Sequence, residues 1–422
     1  MIYFYRLLTI QLLAGISLGS ALSNMSRDII QLYYMDTYGI SFDEAEVIIK
    51  QFLPLLSTSS IIGFAAGSSL FSLIAKFLGF KLTAMIGCTG VFLFTIGQCI
   101  PVNEYFLFIM RVLAGFFQLL FMCPTLVIVG EHALPQKRGI LGMWFQFGIT
   151  IGIFINSIIL LVIKLTFLKF NCWWASFCPA ILSSLAGLIL LFFTPDVQKR
   201  IHKEVNYSQI FTREYGELLL CTVFLGINQQ WTGINGVIVF ANEIFKNQFN
   251  SEFSSIICNF VIASVNIVFT VIALLLIERL GRRRLLFTGL TICFMSQCII
   301  LSNYGLRQPS QPLLLGCYIS FIIGFAVGPG PILYVLASEI FPISAKSMFI
   351  GILMSCNYVS HLFVIVLFPI LTDWANFILY ISLTISTTFV LFFYCPETKG
   401  KTQAEIQETL ANSTNFRISV VE

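Results

Sequence analysis

The sequence QQWTGIN, residues 229–235, decides the fold. It lies in an apolar segment of about residues 217–240 and places three amide side chains where a bilayer normally meets only hydrocarbon. An amide without a partner in lipid costs several kcal/mol, so these groups must face something polar inside the protein. The glycines Gly226, Gly233 and Gly236 allow the helix to break or another backbone to approach. Amides suit a ligand covered in hydroxyls, because they donate and accept without a charge; the alternative is that they join two helices.

The composition is that of a polytopic membrane protein. The chain is 57% hydrophobic and only 10% charged, whereas a soluble domain is near a quarter charged. The net charge of +4 does not indicate nucleic-acid binding, since the basic residues fall between apolar runs and form no single face. The twelve cysteines are scattered without a CxxC pair, so neither a disulfide framework nor a metal site is expected. No cofactor is expected.

Twelve apolar segments are long enough to cross a bilayer, at about 20 residues each. They are 6–26, 52–74, 80–100, 105–129, 139–163, 173–194, 216–240, 255–277, 285–304, 313–337, 347–371 and 375–395. The first resembles a signal peptide, with Arg6 before an apolar run that ends in small residues near Ala21. Its removal would leave eleven spans and destroy the internal symmetry, so we expect it to be retained.

The basic residues predict the orientation of these spans. With both termini in the cytoplasm, 17 of the 24 lysines and arginines face inward, as the positive-inside rule expects. The longest polar stretch between two spans then lies in the cytoplasm, where it forms a linker of about twenty residues. The predicted organisation is a six-helix half at 1–195, a linker at 196–215, a second six-helix half at 216–395 and a cytoplasmic tail at 396–422.

Three motifs recur in the same order in the two halves, at offsets of 202, 208 and 201 residues. Leu78-Gly79 returns as Leu280-Gly281, the set Glu131, Pro135 and Arg138 returns as Glu339, Pro342 and Lys346, and Pro195-Asp196 returns as Pro396-Glu397. The repeat is therefore parallel. An all-α protein of two parallel six-helix halves has the major facilitator architecture.

The predicted cytoplasmic loops carry most of the paired charge, which predicts a gate that locks the inner ends of the halves together. The alternative is that the pairs are solvated helix ends worth ~0–1 kcal/mol each. The expected pairs are Glu131 with Arg138, Glu278 with Arg282 and Arg283, and Glu339 with Lys346, and Glu397 completes the set.

Several motifs resemble those of the sugar porter family of major facilitators, which includes animal glucose transporters and insect trehalose transporters. They are QQWTGIN at 229–235, GPGPILYVLASEIFP at 328–342, ERLGRR at 278–283, CPETKGKT at 395–402, and VGEHALPQKRG at 129–139 followed by Gln146. The resemblance covers nearly the whole chain and is clearest from the fourth span onward.

The resemblance implies a set of sugar contacts, in which amides bond hydroxyls and an aromatic face packs on the sugar ring. They are Gln146, Gln229, Gln230, Asn235, Asn266, Tyr334 and Asn357. For Asn266, a hydrogen bond between helices is an equal alternative. The chain departs from the family at Phe80-Lys81, where members have two arginines, at Val239 and Ala326, in its short linker, and at His361, where members often carry an amide.

Two further polar residues lie within or beside spans. His361 is a possible ligand contact or proton site, since its ordinary pKa is near 6.5, but we expect a hydrogen bond between helices. Arg111 is expected to bond a neighbouring carbonyl or carboxylate.

The sequence favours a facilitator that carries a neutral hexose, or a disaccharide such as trehalose, by alternating access. A proton symporter is the first alternative, but it needs a carboxylate near the midplane, and the only acid near the first span is Asp28 at its outer edge. A sugar sensor is the second alternative. Sensors usually carry a long cytoplasmic tail, whereas the predicted tail here is residues 396–422. No enzyme motif was found. The expected partners are a small-molecule sugar and lipid, without nucleic acid, for a monomer in the plasma membrane.

Overall fold

The structure is a computed structural model of the chain. It describes residues 2–24, 26–132, 138–165, 172–194, 215–238, 252–304, 310–402, 405–406 and 408–409. All regular elements in these ranges are helical.

The first seven α-helices are called here the N-terminal half. They are α1 Ile2–Ser23, α2 Arg27–Tyr38, α3 Phe42–Leu78, α4 Phe80–Gln98, α5 Glu104–His132, α6 Arg138–Leu165 and α7 Cys178–Phe192, which a 3-10 helix at Trp173–Phe177 precedes.

The remaining helices are called the C-terminal half. They are α8 Gly216–Trp231, a helical stretch described over 234–238, α9 Glu252–Leu280, α10 Arg282–Tyr304, α11 Gln311–Val327, α12 Pro329–Glu339, a 3-10 helix at Ile343–Ala345, α13 Lys346–Leu367 and α14 Asp373–Tyr394.

Eleven helical stretches in the described ranges are long and apolar enough to cross a membrane. The predicted seventh span accounts for the twelfth crossing. It is too short to count as one membrane-spanning helix, because α8 is interrupted after Trp231. The chain is therefore an all-α membrane protein with the predicted number of spans.

Two predicted spans differ in detail from the structure. The second begins ten residues early, at Phe42, because Ser41 and Glu44 form a capping box in which each side chain bonds the other's backbone N–H. Hydrogen bonds from the backbone N–H and then the hydroxyl of Ser41 also lower the pKa of the exposed Glu44 carboxyl. The tenth span is two helices, since Gly328 takes a non-helical conformation and Pro329 opens α12.

Glycines bring α1 and α6 into backbone contact. A Cβ added at Gly152 would lie 2.4 Å from the carbonyl oxygen of Ile16 and 2.7 Å from the amide nitrogen of Ser20. A Cβ at Gly19 would lie 2.1 Å from the carbonyl oxygen of Ile149. Small residues permit such close packing in membranes, where helices gain little from burying apolar surface away from lipid.

The two halves meet along two sets of helices. In one, α6 packs on α9 and α12, and the rings of Phe154 and Phe260 stack at 5.6 Å. In the other, α3 packs on α13, where the hydroxyls of Ser69 and Ser355 are 3.1 Å apart. The interface between the halves therefore runs through the middle of the molecule, where polar side chains can escape lipid.

We predict that Gly152→Ala lowers the thermal stability of the purified protein. The added methyl overlaps backbone atoms of α1 that cannot move alone, and overpacking of this kind costs about 1–3 kcal/mol. The control is Gly316→Ala on α11, where a Cβ would meet nothing within 4 Å. Equal melting temperatures for the two variants would contradict the close α1–α6 contact.

Candidate functional site

The helix that carries QQWTGIN is broken at Gly233. This residue has a φ of 80°, a left-handed conformation that favours glycine, and the chain becomes helical again at residue 234. A side chain here would also meet the ring of Tyr380, 2.7 Å from the added Cβ. The carbonyl of Thr232, freed by the break, accepts a hydrogen bond of 2.7 Å from Nε2 of Gln297. The break is therefore built into the fold, as the glycines predicted.

Four amides at this break form a connected group, called here the amide cluster: Gln229, Gln230, Asn235 and Asn357. Nε2 of Gln230 donates to Oδ1 of Asn357 at 2.9 Å, and Nδ2 of Asn357 donates to Oε1 of Gln229 at 2.8 Å. Nδ2 of Asn235 donates to Oε1 of Gln230. The cluster thus joins the interrupted helix to α13.

The cluster fills one of the two roles that the sequence offered for these amides. It joins helices, because Gln229 and Asn357 also donate to the carbonyls of Gly330 and Gly226, both at 2.9 Å. Each amide oxygen can nevertheless accept about two hydrogen bonds and each amide nitrogen can donate two, so acceptor positions remain on the oxygens and one donor remains on Nδ2 of Asn235. Asn235 is the least buried member, with 9% of its surface exposed, and can be reached first.

Tyr334 closes one side of the amide cluster. It lies buried on α12, and its hydroxyl interacts with Gln229 and Tyr358. Its ring meets the ring of Phe145 on α6 edge-on at 4.7 Å. Aromatic groups from both halves therefore meet beside the cluster and form an apolar wall there.

The other two predicted contacts stand apart from the cluster. Gln146 on α6 and Asn266 on α9 are buried on helices that pack together across the halves, and among the described residues neither bonds to the cluster. Oδ1 of Asn266 has no hydrogen-bond partner there. The alternative, in which this oxygen accepts a hydrogen bond from a neighbouring helix, is therefore not observed among the described residues.

The charged end of the molecule, defined by Arg282, Glu339, Glu278 and Glu397, differs from the predicted pairing. Glu339 binds Arg282, at 2.7 Å from Nη2 and 3.1 Å from Nε, and not Lys346 as predicted. Glu278 also binds Arg282, at 3.0 Å. Arg282 and Glu339 are almost fully buried, so they form a desolvated pair rather than solvated helix ends.

The remaining predicted pairs also need correction. Arg283 does not bind Glu278; its Nη2 donates to the carbonyl of Phe392 at 2.6 Å. Buried Lys346 donates to the carbonyl of Ser338 at 2.9 Å. Glu131 lies half-buried in the last turn of α5, and the side chain of its predicted partner Arg138 lies outside the described residues.

Glu397 completes the charged end through backbone groups. Its carboxylate accepts hydrogen bonds from the N–H groups of Arg282 and Arg283, at 3.0 and 3.1 Å. The neighbouring Thr398 donates its hydroxyl to Glu339 at 2.6 Å. The CPETKG stretch is thereby fixed to the start of α10, and every ion pair described at this end lies within the C-terminal half.

Glycines of the N-terminal half, which the sequence did not identify as functional, cover these charges. A Cβ added at Gly139 would lie 2.1 Å from Nη2 of Arg282, and one at Gly130 would lie 2.1 Å from Nζ of Lys346. A Cβ at Gly142 would lie 2.7 Å from the Cα of Val335 on α12. The halves are therefore closed upon each other at the charged end. Of these three glycines, Gly130 and Gly139 lie in the VGEH and KRG motifs, and this is the sequence signal that could have identified them.

Arg111 and His361 lie at the interface of the halves, away from the charged end. The Arg111 side chain bonds the carbonyl of Leu56 and the hydroxyl of Ser59, at 3.3 and 2.9 Å, as predicted for a structural partner. His361 on α13 is buried, and neither ring nitrogen has a partner among the described residues. The helix–helix hydrogen bond predicted for it is therefore not observed in the described part of the chain.

Comparison with solved structures identifies the fold. The major facilitator proton:xylose symporter XylE, bound to 6-bromo-6-deoxy-D-glucose, superposes with a TM-score of 0.81 at 20% identity, over 97% of this chain and 99% of that one. The inward-open form of the xylose transporter XylE from E. coli gives 0.70 at 19% identity, over 96% and 100%. The chain therefore has the twelve-helix major facilitator fold, and it resembles the inward-open form less.

Sequence comparison gives the family. The glucose transporter GlcP of Staphylococcus epidermidis is 26% identical over 425 residues, which cover 88% of this chain and 93% of that protein. The facilitated glucose transporter member 2 of solute carrier family 2 from Mus musculus is 26% identical over 83% of this chain and 77% of that protein. Residues 50–200 and 196–410 match the model of the family described as sugar (and other) transporter. The chain belongs to this sugar transporter family.

Proposed function

We propose that the chain carries a neutral hexose or a disaccharide such as trehalose across the membrane by facilitated diffusion. The observation that carries the proposal is the amide cluster at the broken helix, between α8 and α13. It offers directional donors and acceptors for hydroxyls and contains no charged group, which suits an uncharged polar substrate.

The proposed sugar site extends from the cluster to both halves. The amides Gln229, Gln230, Asn235 and Asn357 bond hydroxyls, and Tyr334 packs on the sugar ring. Gln146 and Asn266 supply contacts from the facing helices α6 and α9, and the unpartnered oxygen of Asn266 favours such a contact. Since α6 and α9 belong to different halves, closure around a sugar would bring both to it.

The charged end serves as the cytoplasmic gate in this proposal, and the distribution of basic residues supports a location inside the cell. The two six-helix halves at 1–195 and 216–395, joined by the short linker at 196–215, would rock about the central site. Opening moves Gly139 off Arg282 and α6 away from α12. The buried pair of Arg282 and Glu339 stays intact, since both residues belong to one half.

Uncoupled transport is favoured over proton symport. In the described membrane-spanning helices, aspartate and glutamate occur only near the ends, so no carboxylate lies at the level of the amide cluster. The XylE similarity leaves symport as the second candidate, and buried His361 is the titratable side chain through which it would operate. A monomer in the plasma membrane, with both termini in the cytoplasm and no catalytic activity, completes the proposal.

We predict that Gln230→Ala weakens sugar binding by about 1–3 kcal/mol, because a buried donor and acceptor are lost from the site. The measurement is ligand-dependent thermal stabilisation of the purified protein. The matched control is Asn228→Ala, since Asn228 lies on the same helix but bonds Thr387 on α14 at 2.7 Å. Unchanged affinity in the Gln230 variant, or equal loss in both variants, would remove the cluster from the site.

We predict that Gly142→Ala shifts the protein toward the form open at the charged end. The added methyl meets the α12 backbone, 2.7 Å from the Cα of Val335, and therefore wedges the halves apart. Modification of single cysteines introduced beside the charged end, in a cysteine-free background, measures the shift. Gly216→Ala is the control, because a Cβ there meets nothing within 4 Å. A labelling ratio equal to the control would exclude this contact as part of the gate.

We predict that sugar equilibrates and is not accumulated in vesicles that hold an inward proton gradient. A neutral sugar that moves without an ion gains nothing from the gradient or from the membrane potential. The measurement is the steady-state ratio of internal to external labelled sugar. Accumulation that a protonophore abolishes would establish symport, and its loss in His361→Gln, with exchange retained, would assign the coupling to that ring.

A further inference from the structure

A small cavity of about 20 Å³ lies between the halves, and its lining includes no residue of the amide cluster or of the charged end. Its polar lining consists of Ser57 and Ser60 of α3, Arg111 of α5 and His361 of α13. The α1 side supplies only Ala21 and Leu22, and therefore no carboxylate. The volume admits a group about the size of one water molecule and excludes a sugar.

Arg111 brings a buried positive charge to this cavity. Its guanidinium is 2% exposed and bonds only neutral acceptors, which are the carbonyl of Leu56, the hydroxyl of Ser59 and the amide oxygens of Asn24 and Gln98. No aspartate or glutamate forms an ion pair with it in the described ranges. A guanidinium stays charged in proteins, and a buried charge is costly unless it is paired.

Two other lining groups have unused hydrogen-bonding capacity. The ring of His361 is 1% exposed, and among the described residues neither of its nitrogens has a partner. The hydroxyl of Ser57, also buried, is without a partner in the same ranges. A neutral imidazole carries one N–H and a hydroxyl one O–H, so both can donate to one acceptor in the cavity.

We propose that this cavity binds one small monovalent anion of the chloride class. The charge of Arg111, the N–H of His361 and the hydroxyls of Ser57 and Ser60 meet at a space of suitable size, and only an anion satisfies the donors and the charge together. A water molecule would satisfy the donors and leave the charge unpaired. Polyatomic anions such as sulfate are too large for the space.

The anion would link the two halves. Arg111, Ser57 and Ser60 belong to the N-terminal half and His361 to the C-terminal half, so the bound ion bridges α3 and α5 to α13. The site therefore stabilises the arrangement in which these helices are together. It goes beyond the proposed sugar transport, and its test needs no sugar.

The test is thermal unfolding of the purified full chain in chloride, bromide and gluconate at constant ionic strength. We expect the melting temperature to rise saturably with chloride and bromide and to stay unchanged in gluconate. In Ser57→Ala, which removes a hydroxyl without a partner in the structure, half-saturation requires roughly tenfold more chloride, the loss expected for one hydrogen bond to a charged group.

The matched control is Ser68→Ala, which removes a buried hydroxyl of the same helix that donates to the carbonyl of Ala65. Its chloride response should equal that of the native chain. His361→Leu should weaken the response, and His361→Gln, which keeps an N–H donor, should restore most of it. Identical melting curves of the native chain in chloride and gluconate overturn the proposal, and so do equal chloride responses in the two serine variants.

Discussion

The structure depends on the requirement that polar groups inside a membrane find partners within the protein. Gln229 shows how this is met, because its Nε2 lies 2.9 Å from the carbonyl of Gly330 and 3.3 Å from that of Pro329. These carbonyls lie just after the break at Gly328, while Gln229 itself precedes the break at Gly233. One side chain thus ties together the two interrupted helices of the C-terminal half, and irregular backbone is confined to the protein interior.

The same requirement decides how the charged end can work. Arg282 is buried against Glu339 and Glu278, and removal of one partner of a buried pair typically costs about 3–5 kcal/mol. A gate that broke this pair in every cycle would face a comparable barrier. Since the pair lies within one half, opening can leave it intact while Gly139 of the other half separates from Arg282. Glycine suits that contact because a Cβ at this position would lie 2.1 Å from Nη2 of Arg282.

The sequence predicted the spans and the polar break well, because apolar length and buried amides are local signals. It predicted the members of the charged end but not their pairing, since Lys346 and Arg282 carry the same charge and only the packing places Arg282 against Glu339. The contact of Gly139 was not predictable, because its reason is a side chain on another helix. The early start of α3 was missed although its signal, Ser41 followed by Glu44, stands in the sequence.

The distribution of charge also fits an electroneutral cycle. The amide cluster carries no charge, and the ion pairs described lie at the helix ends, where they cross little of the membrane field. Moving one elementary charge through the full field changes the energy by about 2.3 kcal/mol per 100 mV. Arg111 is the exception, since it is charged and buried between spans. Its pairing with an anion would leave the interior neutral, so that the two halves could exchange positions around a neutral substrate without work against the membrane potential.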